Sequence, residues 1–178
     1  IYGLAAIKNI GYKASESIYK QRKEDKKYSS VFSMCKSLCN GIINKKILES
    51  LIISGACDSL NGNRAQLFEV IEPAIKFSQN FRNNQNKNQA SLFSNNEEDI
   101  IIEPKIPNIK EWNKNELLAK EKEILGFYLS GDPVEDFNDD IKELSIINGK
   151  RQNKEFIRTG GIIVEKKILY DKRNKPWS

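Results

Sequence analysis

A polar tract near the middle of the chain limits how much of the sequence can share one hydrophobic core. Residues 84–96 are mostly asparagine, glutamine and lysine, and they surround a single apolar pair, Leu92 and Phe93. An acidic stretch and two prolines follow this tract. Such a segment buries too little apolar surface to offset the entropy that ordering would cost. We therefore predict a flexible linker over residues 81–110.

Helix signals dominate the sequence that precedes this linker. Apolar residues recur there at helical spacing, and Ser29 or Ser30, Asn44 and Asn63 stand where N-caps are expected. Gly55 follows a helical pattern and can supply its left-handed stop, whereas Pro73 predicts a kink or a break. We therefore expect a mainly α-helical fold in this part of the chain.

The pattern changes after the linker. Residues 111–148 are typical of short helices that are interrupted at the turn sequence "SGDP". From about Ile157 the residues become β-branched, and a polar turn over Asp171–Lys175 predicts a strand that enters a hairpin. We therefore expect residues 149–178 to begin a β domain.

Composition excludes several classes of protein. The 178 residues are 39% hydrophobic, and no apolar run approaches the roughly 20 residues of a membrane span. There are three cysteines (Cys35, Cys39 and Cys57) and no histidine, which argues against a disulfide framework and against a zinc site. We expect inert thiols in a cytoplasmic protein. Because the chain lacks an initiator methionine and a signal-peptide layout, we also expect a piece of a longer chain.

The net charge of +5 is unevenly distributed. Residues 1–62 carry +5, residues 63–146 carry −6 and residues 147–178 carry +6. Two basic ends around an acidic middle suggest two separate surfaces that face a polyanion. The alternative is a drift in composition towards lysine, asparagine and isoleucine, although such a drift does not explain the acidic middle.

The stretch "IKNIGYKASESI" resembles a helix-hairpin-helix motif. Asn9, Ile10 and Gly11 can form a tight hairpin in which Gly11 permits positive φ and a close approach of backbone to a ligand. The amides at the start of the next helix suit one DNA phosphate, and Lys8 and Lys13 would add salt-dependent attraction. Such contacts read no base sequence. The alternative is a plain helical turn with glycine at its C-cap.

A second stretch repeats this theme loosely. In "INKKILESLIISGACDSL" a helical pattern ends at Gly55, and Arg64 opens the next helix. We therefore add Gly55 and Arg64 to the candidate DNA-binding residues. An ordinary helix-loop-helix is the alternative.

The order of five stretches resembles a known family. "GLAAIKNIG", "NKKILESLIISGACDSL", "NRAQLF", "QASLF" and "EKEILGFYLSGDP" are similar, in order and spacing, to sequences of the alpha subunits of bacterial DNA polymerase III, the replicative C-family polymerases. The resemblance covers essentially the whole chain and places it after the palm and fingers of such a subunit. Asp132 departs from the pattern, because the family usually has histidine there, and we interpret it as a structural turn position.

This resemblance implies a domain order and a set of partners. It implies a tandem helix-hairpin-helix domain for duplex DNA, a peptide for the β sliding clamp, and an oligonucleotide-binding (OB) fold that meets single-stranded template. Other replicase subunits are further expected partners. The carboxylates that hold Mg²⁺ in the parent polymerase would precede Ile1, so we expect neither catalysis nor a cofactor here. The implied domains are 1–80 (hairpins), 81–110 (linker and clamp peptide), 111–148 (helical connector) and 149–178 (start of the OB fold).

The apolar pair in the polar tract then acquires an interpretation. "QASLF" resembles the pentapeptide by which proteins dock into the bacterial clamp, so the resemblance implies a clamp contact through Gln89, Ala90, Ser91, Leu92 and Phe93. The two apolar side chains would fill a pocket on the clamp. The alternative is that they fold back onto the core of this chain.

The basic end of the chain is the second candidate surface. Lys166, Lys167 and Arg173 can follow phosphates of a single strand, and Tyr170 can stack on a base. A solvated edge hairpin with a routine basic face is the alternative.

Two other classes of function compete with the polymerase interpretation. One is a protein-interaction module whose helices only support the linker peptide, and it predicts no duplex binding. The other is a fragment of a DNA repair nuclease or ligase with hairpin motifs. That class needs a metal-carboxylate site or a nucleophilic lysine, and neither is evident in the sequence.

Overall fold

The computed structural model describes residues 3–24, 28–38, 42–90, 102–143, 161–163, 166–171 and 173–177. The chain divides into two compact units, residues 1–130 and residues 131–178. Within the described residues, no helix is both long and apolar enough to span a membrane.

All regular secondary structure among the described residues of the first unit is helical. A 3₁₀ turn at Leu4–Ala6 opens it. Six α-helices follow: α1 (Tyr12–Glu24), α2 (Val31–Ser37), α3 (Lys45–Ile53), α4 (Arg64–Glu69), α5 (Ile71–Ala90) and α6 (Lys114–Leu125). The prediction of a mainly α-helical fold is confirmed for the described residues.

The helix boundaries follow the caps that the sequence indicates. The side chains of Ser30, Asn44 and Asn63 accept hydrogen bonds from first-turn amides of α2, α3 and α4. Gly55 has φ +76° and closes α3, and its amide donates to the carbonyl of Ile52 at 3.1 Å. These local signals therefore set the starts of α2, α3 and α4 and the end of α3.

The expected break around Pro73 is confirmed. α4 ends at Glu69, and α5 begins at Ile71 after one turn residue. Pro73 thereby falls in the first turn of α5, where a missing backbone N–H costs no helical hydrogen bond.

The core of the first unit lies between α2, α3 and α5. Phe32 of α2 meets Phe77 of α5 edge to face, with ring centroids 5.8 Å apart. Leu48 and Ile52 present the apolar side of α3 to the same cluster and are fully buried. This packing holds the middle of the unit together.

The linker prediction differs from the structure at both of its ends. Residues 81–90 belong to α5, because a helix that its first half anchors can propagate through polar residues at little nucleation cost. Residues 102–110 lie extended against α2 and α4. There the Ser30 hydroxyl donates to Glu103 at 2.9 Å, and the Gln66 amide donates to the carbonyl of Pro107 at 2.8 Å.

The second unit contains a short helical part and a hairpin. A 3₁₀ turn at Glu135–Phe137 leads into α7 (Asn138–Glu143), as expected for that stretch. β1 (Leu169–Tyr170) pairs antiparallel with β2 (Pro176–Trp177), which confirms the predicted hairpin around Asp171–Lys175. The described residues contain these two strands and not the closed barrel of an OB fold. Residues 144–160 are not among the described residues.

Candidate nucleic-acid interface

Apolar side chains anchor the first hairpin, Asn9–Gly11, to the core of the first unit. Ile7 precedes the hairpin, Ile10 lies within it, Ala14 and Ile18 follow it in α1, and all four are buried. This pattern fixes the hairpin on the core and leaves its outer side exposed. Ile10, a candidate contact residue, therefore offers DNA only its backbone.

Asn9 supplies the left-handed backbone conformation that we expected of Gly11 in this hairpin. Asn9 has φ +69°, whereas Gly11 is not among the residues with positive φ. Asparagine tolerates this left-handed conformation better than most residues. Its side-chain amide also donates to the hydroxyl of Ser50 in α3 at 3.1 Å. The expectation of positive φ at Gly11 was therefore wrong, and Asn9 is the residue that shapes the hairpin.

The first hairpin also contacts α6 through a backbone hydrogen bond and an ion pair. The backbone amide of Lys8 donates to the carbonyl of Ile124 at 3.2 Å. The ammonium of Lys8 lies 3.9 Å from the carboxylate of Glu123, and both side chains are largely exposed. Such an exposed pair contributes little to stability, so the ammonium stays available to an anion.

The start of α1 presents unpaired donors to solvent. Its first helical hydrogen bond runs from the amide of Ser15 to the carbonyl of Gly11 at 3.1 Å. The amides of Tyr12, Lys13 and Ala14 therefore lack a partner within the helix, and none has an acceptor elsewhere among the described residues. Gly11, in the N-cap position, has no side chain to satisfy them. An anion near Gly11 would meet these donors and the positive end of the helix.

The space around Gly11 is open. A Cβ atom built on Gly11 would meet nothing within 4 Å. Lys13 is exposed beside it, and no ion pair involves Lys13 in the part of the chain that the structure describes. The outer side of this hairpin therefore combines free amides, an unpaired cation and room for a ligand to approach.

The second stretch has the opposite character, because Arg64 is engaged inside the fold. Its guanidinium donates twice to Asp58, at 2.8 and 2.6 Å, once to Glu121 at 2.8 Å and once to the carbonyl of Ile53 at 3.1 Å. The hydrogen bonds of Asp58 raise the pKa of Arg64, and those of Glu121 add to this effect. Its side chain is only 11% exposed. Arg64 is therefore a structural cation and not a surface contact for DNA.

Glu121 completes this internal network. It is fully buried in α6 and accepts the backbone amides of Leu129 and Ser130, each at 2.8 Å. Burial alone would raise the pKa of Glu121, but the hydrogen bonds from Ser130, Arg64 and Leu129 outweigh burial and lower it. The network joins α4 to the turn that follows α6.

The turn at Gly55 also lacks free donors for a phosphate. Its amide is bonded to Ile52, and the next amide, that of Ala56, donates to Leu51 at 3.0 Å. A Cβ atom on Gly55 would lie 2.5 Å from Nη2 of Arg64. Gly55 is therefore needed for internal packing, and the sequence expectation that Gly55 and Arg64 bind DNA does not fit the structure.

Comparison with known proteins gives a consistent result. Residues 1–67 match a family model described as a helix-hairpin-helix motif. Across 97% of its length the chain is 36% identical to the DNA polymerase III subunit alpha of Borreliella burgdorferi, covering 16% of that protein. The subunit of Bacillus subtilis is 34% identical over 96% of the chain and 15% of the relative. The chain is homologous to a segment of the DNA polymerase III alpha subunit. It spans about one sixth of the length of these relatives.

In this alpha-subunit homologue, the peptide predicted to bind the clamp lies at the edge of the described structure. Gln89 and Ala90 are the last two residues of α5. Ser91, Leu92 and Phe93 lie outside the described residues. Their role stays a prediction.

The basic end presents its candidate residues on the surface. Lys166, Lys167, Tyr170 and Arg173 are all exposed. The carboxylate of Asp171 accepts the amide of Arg173 at 2.8 Å and holds the turn. This end can therefore be approached from solvent, although the described residues form only a two-stranded hairpin.

Sequence reasoning missed the acidic half of the buried network. Glu121 was not singled out by its sequence context, yet it lies on the apolar side of α6 between Leu118 and Ile124, and both of these are buried. A charge at helical spacing within an apolar stripe was the signal that could have revealed it. Glu111 was missed as well, and its carboxylate accepts the amides of Arg64 and Ala65 at the start of α4.

The two cysteines that the structure describes show no sign of reactivity. Cys35 and Cys57 are buried and free, and burial raises the pKa of each thiol to about 12. Cys39 lies outside the described residues. No group of three metal-binding side chains occurs among the residues that the structure describes.

Proposed function

We propose that this chain is a DNA-holding and clamp-tethering segment of a replicative DNA polymerase. The observation that carries the proposal is the first hairpin, with its free α1 amides, open space at Gly11 and exposed Lys13. In the proposed mechanism these groups hold a backbone phosphate of the product duplex. The parent protein would carry out nucleotide transfer with Mg²⁺, and no step of that reaction is assigned to residues of this chain.

The proposed contact is electrostatic and independent of base sequence. Amides at a helix start and lysine ammonium groups recognise phosphate oxygens, which are the same at every base pair. Each neutralised phosphate releases counterions, so affinity should fall steeply as salt rises. A contact of this kind can hold the duplex while allowing it to slide, which suits processive synthesis.

The experiment is filter binding of a blunt duplex to the wild type and Gly11→Val at low and moderate salt. A side chain at Gly11 should obstruct the phosphate, and we expect at least about tenfold weaker binding, with no change in preference among duplex sequences. Gly161→Val is the matched control, because a Cβ atom there also meets nothing within 4 Å. Equal binding of wild type and Gly11→Val at both salt concentrations would show that Gly11 acts only as a helix cap.

The proposed tether to the sliding clamp is the peptide Gln89–Phe93. Its support is the match to the clamp-docking pattern and its position at the end of α5, whose last two residues are Gln89 and Ala90. Replacing Leu92 and Phe93 together by alanine should abolish clamp binding, because nothing else in the tract can fill an apolar pocket. Gln89→Ala should cost about 1 kcal/mol, the usual net value of one hydrogen bond.

Titration of the clamp against these variants tests the tether. Duplex binding should be unchanged in the double variant, since the hairpin lies elsewhere and distant sites act independently. If the wild type and the double variant bind the clamp equally, Leu92 and Phe93 belong to the fold of this chain. The proposal extends to the basic end, whose exposed residues we assign to single-stranded template in a parent OB fold.

The competing functions make different predictions. A pure protein-interaction module would bind the clamp and show no salt-dependent duplex binding. A fragment of a repair nuclease or ligase would need a metal-carboxylate site or a nucleophilic lysine. Other replicase subunits remain proposed partners through the alpha-subunit homology alone.

A further inference from the structure

The side of α1 that faces away from the core is strongly aromatic. Ala14 and Ile18 are buried and define the inner side of the helix. At 3.6 residues per turn, Tyr12 and Tyr19 fall on the opposite side. They are 74% and 58% exposed. Large exposed rings on one helix face are unusual in a polar surface and indicate a binding role.

The same side is cationic. Lys13, Lys20 and Lys23 flank the two rings, and the ammonium of Lys23 lies 4.8 Å from the ring centroid of Tyr19. Among the side chains of α1 that the structure describes, the acidic residue on this face is Glu16, whose carboxylate pairs with Lys20 at 2.9 Å. That pair cancels one positive charge, so Lys13 and Lys23 give the face its net charge. We call this surface the α1 face, and it comprises Tyr12, Lys13, Tyr19, Lys20 and Lys23.

We propose that the α1 face binds single-stranded DNA, with its two rings stacked on bases and its lysines on phosphates. This inference rests on the proposed function, because the face begins beside Gly11 and would extend the phosphate contact of the hairpin. A duplex presents its phosphates but hides the flat faces of its bases. A single strand presents both, and stacking on aromatic side chains tolerates any base sequence.

The dimensions of the α1 face fit several bases. Tyr19 lies seven positions after Tyr12, which is ~10 Å along the helix axis. That is the length of about three stacked bases at ~3.4 Å each. Each ring can therefore meet a different base of one strand. A strand that leaves the duplex at the first hairpin would run along α1.

Fluorescence anisotropy with three DNA probes tests this inference. The probes are a blunt duplex, the same duplex with a six-base overhang, and an oligothymidine. Replacing Tyr12 and Tyr19 together by alanine should weaken binding of the overhang duplex and of oligothymidine at least about tenfold, or ~1.4 kcal/mol. Binding of the blunt duplex should change less than about twofold.

Two further variants separate ring stacking from a hydroxyl contact and from a general loss of aromatic surface. Replacing both tyrosines by phenylalanine keeps the rings and should bind like the wild type, since stacking needs no hydroxyl. Phe137→Ala removes a 58% exposed aromatic residue from the acidic 3₁₀ turn at Glu135–Phe137, and all three probes should bind it normally. Ultraviolet crosslinking of 5-iododeoxyuridine in the overhang should label Tyr12 or Tyr19.

The outcomes separate this inference from the proposed function. Equal binding of the overhang by the wild type and the double alanine variant overturns the single-strand role, and the face would then serve a protein partner. Equal loss on blunt and overhang duplexes also overturns it, because the face would then be a duplex contact. If the wild type binds no blunt duplex at all, the proposed function itself fails.

Discussion

Two glycine turns in the first unit look alike in sequence and differ in structure. Each follows an apolar helical pattern and precedes a cation at the start of a helix: Gly11 before Lys13, and Gly55 before Arg64. At the first turn the amides and the lysine face solvent, and the space above Gly11 is empty. At the second turn the amides are bonded, and the arginine fills the space beside Gly55.

The difference arises from where the acidic residues lie. Asp58 and Glu121 surround the guanidinium of Arg64 and neutralise it inside the fold. No carboxylate pairs with Lys13 in the described part of the chain. An exposed cation beside free amides attracts a polyanion, whereas a buried and paired cation holds its own protein together. The first turn is therefore the interface, and the second is a structural junction.

The largest expected effect on stability comes from removing Arg64, the buried cation at the second turn. Arg64→Ala leaves the carboxylate of Glu121 buried without its cationic partner, so the free energy of unfolding should fall by about 3–5 kcal/mol. Denaturant unfolding followed by circular dichroism measures this change. Lys13→Ala, which removes an exposed cation, should stay within about 0.5 kcal/mol of the wild type. Similar free energies of unfolding for the two variants would contradict the conclusion that Arg64 is structural and Lys13 is not.

The glycines themselves give the next largest contrast. Gly55→Ala must adopt φ +76° and bring a Cβ atom to 2.5 Å from Nη2 of Arg64, so it should lower stability by about 2 kcal/mol or more. Gly11→Ala requires no positive φ and brings its Cβ atom within 4 Å of nothing, so it should leave stability nearly unchanged. Thermal unfolding of the two variants side by side is the measurement. An equal loss in both would show that the first turn is as tightly packed as the second.

A smaller effect is expected at the residue that shapes the first turn. Asn9→Gly keeps the left-handed backbone but loses the hydrogen bond to Ser50, which should cost about 1 kcal/mol. Asn9→Ala loses the same bond and adds about 1–2 kcal/mol of backbone strain. Unfolding experiments should therefore rank glycine above alanine at this position. The reverse order would mean that the turn does not need positive φ.

Local signals in the sequence were sufficient for the helix ends but not for the site. Caps such as Asn44 and the break at Pro73 act through neighbouring backbone groups, so the sequence alone can reveal them. The roles of Arg64 and Glu121 depend on a contact between residues 57 positions apart. Residues 81–90 were wrongly predicted as linker for a related reason. Phe77 anchors the first half of α5 in the core, and the helix continues beyond it into the polar tract.

The salt dependence of duplex binding tests the central claim most directly. The logarithm of the binding constant is measured against the logarithm of salt concentration for the wild type, Lys13→Ala and Lys45→Ala. Lys45 is a suitable control because it too lies in the first turn of a helix, where it pairs with Glu72 at 2.7 Å. We expect Lys13→Ala to weaken binding on every duplex sequence and to reduce the slope by about one, while Lys45→Ala matches the wild type. An unchanged slope for Lys13→Ala would contradict a phosphate contact at the first hairpin.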